Sequence, residues 1–412
     1  MSSRPAIDAG RLWDSLMRMA RIGATAKGGV NRQALTDPDR EARDLFISWC
    51  RQAGCAVRVD PTGNIFARRA GRDSGRRAVM AGSHLDTQPA GGKFDGAYGV
   101  LAALEVVRAL NDAGHVTERP VEVVAWTNEE GCRFAPSMMG SGVFAGQFDP
   151  NRVSATTDAH GRSFGAELER IGYRGGDRVS VDEVAAYFEL HIEQGPVLEQ
   201  AGKTIGVVTG AQGQRWFDLV VTGQEAHAGT TPMETRRDAL LGAARIAEAV
   251  NRIGREHLPG ACATVGQLDV HPNSRNTIPG RVCFSVDLRH PEEGRLSSMR
   301  SALETEAAAT CSAAGLHLSM EEIWHQSPLR FDAGCIDAVR RGAAAVGCGA
   351  MEIVSGAGHD ACHVAQRVPT AMIFIPCAGG ISHNETEDAT REDCAAGCNV
   401  LLHAVTESAN AL

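Results

Sequence analysis

Between residues 76 and 130 the chain alternates two hydrophobic rhythms. RAVMAGSHLD (77–86) and VEVVAWTNEE (121–130) open as unbroken apolar runs of strand length, which fits strands buried on both faces. YGVLAALEVVRAL (98–110), between them, reads as an amphipathic helix, and AAYFELHIE (185–193) is a further buried strand. This is an α/β rhythm, and in such sheets ligands gather beyond the carboxyl ends of the strands.

From about 213 to 328 the order changes. QRWFDLVVTG reads as a strand, RRDALLGAARIAEAVNRI as a helix, CATVGQLDV and GRVCFSVDLRH as strands, LSSMRSALETEAAATCSAAG as a helix and LHLSMEEIW as a strand. That βαββαβ succession is the ferredoxin-like pattern, a unit able to fold alone. The first rhythm then resumes with MEIVSG, HDACHVA and TAMIFIP. The expected organisation is one domain from 1–212 and 329–412, with a second, 213–328, inserted into it; a chain of 412 residues exceeds what one core usually serves.

Chemistry-bearing residues fall where these strands end: His84 and Asp86, then Glu129 and Glu130, His191 and, after TAMIFIP, His383. His84 and Asp86, two apart on an extended segment, share a face, so the carboxylate can orient the imidazole. Asp95 lies in the glycine-rich loop GGKFDGAYGV entering a helix, where it could bridge two cations. The loop lacks GxGxxG and Walker spacing, which argues against a nucleotide. Of the adjacent acids Glu129 and Glu130, one can bind metal while its neighbour takes a proton from water. Each histidine taken singly reads as structural, but together the set suits a dinuclear site. Asp95 would bridge, His84 and His191 would complete one ion's ligands, and Glu130 and His383 the other's.

A net charge of −9 argues against a nucleic-acid groove, and basic pairs such as Arg236-Arg237 and Arg340-Arg341 read as solvated helix faces. With no apolar run of membrane length and no signal-like start, a cytoplasmic protein is expected. Twelve dispersed cysteines read as free, mostly buried thiols, with Cys394 and Cys398 on one face of a terminal helix.

Eight segments in order carry a resemblance: GSHLDTQPAGGKFDGAYGV, TNEEGCRFAPSMMGS, ELHIEQGP, GQEAHAGTTPM, RNTIPG, VDLRH, SGAGHDA and ISHNE. The chain resembles, from about residue 10 to its end, the hydantoinase/carbamoylase amidases of the aminoacylase-like dinuclear zinc peptidase superfamily. The resemblance implies an α/β zinc-exopeptidase-like catalytic domain with an inserted α+β ferredoxin-like domain serving dimerisation and as a lid. It also implies two divalent ions per subunit, zinc first and manganese, cobalt or nickel as alternatives, and a homodimer without nucleic-acid or membrane partners. Glu129 becomes the general base and Asp86 the residue behind His84. Gln194, His359, His227, Asn276 and Arg289 become substrate contacts, with His227 also stabilising the oxyanion and Arg289 holding a carboxylate. The implied reaction splits the carbamoyl C–N bond of N-carbamoyl-L-amino acids. Allantoate is the rival substrate; β-ureidopropionase, aminoacylase or dipeptidase activity and non-catalytic metal binding stand further off. Closure at hinges near residues 212 and 328 is expected to accompany catalysis.

Overall fold

The structure is a computed structural model and describes residues 5–411. It divides into two compact units, residues 1–209 with 331–412, and residues 210–330, against the limits of 213 and 328 read from the sequence.

The first unit is built on a nine-stranded mixed sheet. Its order runs Ala56–Val59, Ile65–Arg69, Val121–Trp126, Ala78–His84, Val184–Ile192, Thr370–Ile375, Ile205–Ala211 and Leu329–Arg330, with Ala350–Ser355 also pairing to Ile205–Ala211. Every residue of Ala78–His84, Val121–Trp126 and Thr370–Ile375 is buried, as their unalternating apolar runs require. These three strands and Val184–Ile192 are mutually parallel, so their carboxyl ends lie on one side. Register places His84 beside Trp126 and His191 beside Phe374. The two central strands thus end on a histidine and next to one, and the segment carrying Glu129 and Glu130 emerges alongside.

The helix Ala97–Asp112 corrects the amphipathic reading of 98–110. It is buried on nearly every face, because it packs on Ala78–His84 and against the helices Ala9–Met19 and Arg391–Asn410. Its one buried acid, Glu105, accepts from Arg11 Nη2 (2.7 Å), Arg11 Nε (2.8 Å) and Asp8 N (2.9 Å). The acid therefore marks a paired interior charge rather than a wet face.

The second unit runs Gly213–Thr222, Ala239–Glu256, Cys262–His271, Arg281–His290, Glu293–Ala313 and His317–Gln326 in chain order. Its antiparallel sheet is ordered His317–Gln326, Gly213–Thr222, Arg281–His290, Cys262–His271. Alternation along the central strands sends Phe217, Leu219, Val221, Val282, Phe284, Val286 and Leu288 into one core with Ile246, Val250, Leu296 and Met299 of the two helices. Each such side chain taken out of water contributes roughly 1.5–3 kcal/mol.

All twelve cysteines are free and most are buried, Cys394 and Cys398 among them on the helix Arg391–Asn410. Arg340 and Arg341 sit on the exposed side of the helix Ala333–Val346, paired with Glu352 and Glu407. The Arg236-Arg237 pair does not lie on a helix face. Arg236 ends a 3₁₀ turn and donates to the carbonyls of Ala228 (2.6 Å) and Thr231 (3.1 Å), clamping the loop after His227. Among the described residues no helix is long and apolar enough to cross a membrane.

Candidate metal centre

Beyond the carboxyl ends of the parallel strands, Asp95 faces two groups of donors at once. Its Oδ1 lies 3.1 Å from His191 Nε2 and 3.5 Å from His84 Nε2. Its Oδ2 lies 3.4 Å from His383 Nε2, which is 3.3 Å from Glu130 Oε2. His84, Asp95 and His191 form one set able to hold a metal ion, and Asp95, Glu130 and His383 a second. Glu129 Oε2 stands 3.6 Å from His84 Nε2.

The main chain settles which ring nitrogens face the centre. His84 Nδ1 bonds the carbonyl of Asp86 and His191 Nδ1 that of Ile192, both at 2.9 Å, so Nδ1 carries the proton and Nε2 presents its lone pair inward. This revises the role read for Asp86. Its carboxylate stays 3.9 Å from His84 Nδ1 and instead accepts from the backbone N–H of Glu129 (3.3 Å) and Glu130 (3.2 Å). Asp86 orients the imidazole through its carbonyl, while its side chain pins the two acids.

The Asp95 loop is held by a residue the sequence reading missed. Glu387 accepts from Phe94 N and Asp95 N at 3.1 Å and from Ser382 Oγ at 2.8 Å. The available signal was an acid four positions beyond His383 in the same polar segment. Gln88, also missed, holds both oxygens of Glu130, through its backbone N–H (2.9 Å) and its amide (2.7 Å). Gly96, at φ +65°, enters the helix where any Cβ would lie 2.3–2.5 Å from the His84 ring. Asn128, Gln194 and His383 also hold positive φ at or beside the cluster.

Burial alone drives a histidine toward neutrality, and His359 behaves so: enclosed, edge-on to His191 at 4.7 Å and bonded to Ser355 Oγ at 3.0 Å, it is pushed well below its ordinary range. His84 is just as buried, yet the carboxylates of Glu129, Asp95 and Asp86 outweigh burial and raise it well above that range. His191 is likewise raised against burial, through Asp95. Hydrogen bonding to Asp95 raises His383. Burial raises Glu129 well above the usual carboxylate range, against the pull of His84. The pocket therefore demands positive charge, and with inward-facing imidazole nitrogens and carboxylate oxygens the donor set fits divalent cations.

Gln194 belongs to this cluster, its amide donating to Asp95 Oδ2 at 2.9 Å. The remaining predicted contacts lie in the second unit. His227 pairs with Thr277 in a two-stranded ribbon, and Ala228 N donates to the carbonyl of Asn276 at 2.8 Å, so His227 and Asn276 are neighbours. His227 Nδ1 accepts from Gly229 N (3.0 Å) and Thr230 N (3.2 Å), which leaves Nε2–H as the outward donor. Arg289 lies on the main sheet, bonded to Asp287 at 2.7 Å.

Residues 80–407 match the peptidase family M20/M25/M40, and the chain belongs to that family of metal-dependent hydrolases. Within it the likeness is to amidases. An N-carbamoyl-L-amino-acid amidohydrolase of Rhizobium meliloti is 52% identical, covering 98% of this chain and 97% of its own length. An allantoate amidohydrolase of Bacillus subtilis is 34% identical, covering 94% and 95%. The crystal structure of a hydantoinase/carbamoylase family amidase from Burkholderia multivorans superposes with a TM-score of 0.96 at 56% identity, covering 99% of both chains. The resemblance read from the motifs is borne out.

Proposed function

We propose that this chain hydrolyses the carbamoyl C–N bond of N-carbamoyl-L-amino acids, giving the amino acid, carbon dioxide and ammonia. The observation that carries the reading is the single carboxylate of Asp95 shared by two donor sets, with the buried Glu129 beside them. When bound, divalent cations acidify water and polarise a carbonyl oxygen. His84, Asp95 and His191 would hold one, and Asp95, Glu130 and His383 the other; zinc fits the mixed nitrogen and oxygen donors, as do manganese, cobalt and nickel.

Glu129 accepts the proton of the attacking water and passes it to the leaving amino nitrogen, a role suited to a carboxylate whose burial makes it more basic. His227 Nε2–H and Asn276 steady the oxyanion, Arg289 fixes the substrate carboxylate, and Gln194 and His359 bound the site. The carbamate left behind decomposes to carbon dioxide and ammonia. Residues 210–330 act in this reading as a ferredoxin-like lid and dimerisation domain, so a homodimer is the working form, in the cytoplasm.

The test is a panel of N-carbamoyl-L-amino acids, β-ureidopropionate, allantoate and N-acetyl amino acids, assayed with measured metal content. Turnover of allantoate alone would replace the proposed substrate. Glu129→Gln should lower kcat by about 10²–10⁴-fold with metal retained; full activity in that variant would remove Glu129 from the mechanism.

A further inference from the structure

Two tryptophans lie in the open on the second unit, on the sheet face its helices leave uncovered. Trp216 is 41% exposed and Trp324 44%, although an indole is among the most rewarding side chains to bury. Phe217, Val286 and Leu288 point into the core, so alternation sends Gln214, Trp216, Asp287 and Arg289 to the opposite face. Register sets Arg289 across from Gln214 and Asp287 across from Trp216.

The arginine and the indole are tied together. With the Gln214 amide turned so that its oxygen rather than its nitrogen meets the neighbouring N–H groups, that oxygen accepts from Arg289 Nη2 at 2.9 Å and from Trp216 Nε1 at 2.6 Å. Diagonal cross-strand neighbours of this kind stand about 7–8 Å apart. The shared acceptor brings the guanidinium and the indole edge closer than that, to the scale that separates the carboxylate and the ring of one aromatic amino acid.

Trp324 reaches the same face through an irregularity. Along His317–Gln326, Leu318 and Met320 pack against the core, and strict alternation would turn residue 324 inward with them. The register shifts between Glu322 and Trp324, which brings Trp324 opposite Trp216 with ring centroids 6.3 Å apart. Bulges re-aim side chains in this way and need a reason to persist.

We propose that Trp216 and Trp324 form the platform that receives the substrate side chain beside Arg289, and that they select N-carbamoyl-L-amino acids bearing aromatic or large apolar side chains. This rests on the reading of Arg289 as the carboxylate contact. Arg289 supplies the charge complementary to the carboxylate, and the rings an apolar surface within reach of it.

The experiment compares kcat/KM for N-carbamoyl-L-phenylalanine and N-carbamoylglycine in the metal-loaded enzyme and in Trp216→Ala, Trp324→Ala and the corresponding Phe variants. The wild type should favour the phenylalanine derivative. Each Ala variant should lower the ratio on the order of tenfold, mainly through KM, and the Phe variants should restore most of it. A ratio unchanged in both Ala variants overturns the proposal. So does an equal loss on both substrates accompanied by a change of oligomeric state in gel filtration, which would make the pair a contact between copies of the chain. A wild-type enzyme that hydrolyses neither ureido acid but cleaves N-acetyl amino acids overturns the carbamoyl reading instead. The ratio for N-acetyl-L-phenylalanine over N-acetylglycine then decides the platform separately.

Discussion

Asp86→Asn separates two ways in which a buried carboxylate can serve a metal centre. The Asp86 oxygens accept one backbone N–H each, from Glu129 at 3.3 Å and Glu130 at 3.2 Å, inside the protein. An asparagine offers one acceptor, so one buried N–H loses its partner, at about 1–3 kcal/mol. Removing a charge whose burial already raises its pKa returns part of that cost. At roughly 2 °C per kcal/mol for a unit of more than about 250 residues, the metal-free protein should melt about 2–5 °C lower in calorimetry. The carbonyl that holds His84 Nδ1 survives the substitution, so His84 stays aligned, while the freed Glu129 drifts. A displacement near 1 Å costs on the order of 10²-fold in rate, and excess metal should not restore it. If kcat instead recovers fully as metal is raised, and the metal-free melting point is unchanged, the carboxylate acts through His84 as a ligand-strengthening group and the argument fails.

Gly96→Ala should lower metal content after dialysis by at least about tenfold with the circular dichroism spectrum retained, because its Cβ would lie 2.3–2.5 Å from the His84 ring at a φ of +65°. Retention of both ions would refute the packing argument. Burial depresses His363, packed on Phe148 at 5.0 Å, from 6.5 to about 4. The unfolded chain therefore binds more protons between those values, and stability present above pH 6.5 is lost as pH falls toward 4, by up to about 3 kcal/mol. His363→Leu should flatten that part of the stability profile in denaturant titrations at stepped pH; an unaltered slope would exclude His363 as its source.

Much of the fold is legible in the chain because burial leaves a local trace. Ala78–His84, Val121–Trp126 and Thr370–Ile375 read as strands since both their faces are apolar, and the period-two alternation of Gly213–Thr222 and Arg281–His290 announces one covered face. The helix Ala97–Asp112 misled because its polar residue Glu105 looks solvated until Arg11, 94 positions earlier, is brought to it.

The sequence by itself indicated the donor chemistry of the candidate centre: which histidines and carboxylates are available, and that all but Asp95, on its glycine-rich loop, stand at or beyond the end of a strand. Spacing carries that information, since a strand that ends must release its next residues at the sheet edge. Only the tertiary structure decided which atom of each donor faces the centre and what holds it there. His84 is set by a carbonyl and not a carboxylate, the Asp95 loop hangs on Glu387 from 292 residues away, and Trp324 turns outward at a bulge. The physical reason is the same in each case. A hydrogen bond or a register shift depends on distances of a few tenths of an ångström between segments remote in the chain, and no local pattern of polar and apolar residues encodes them.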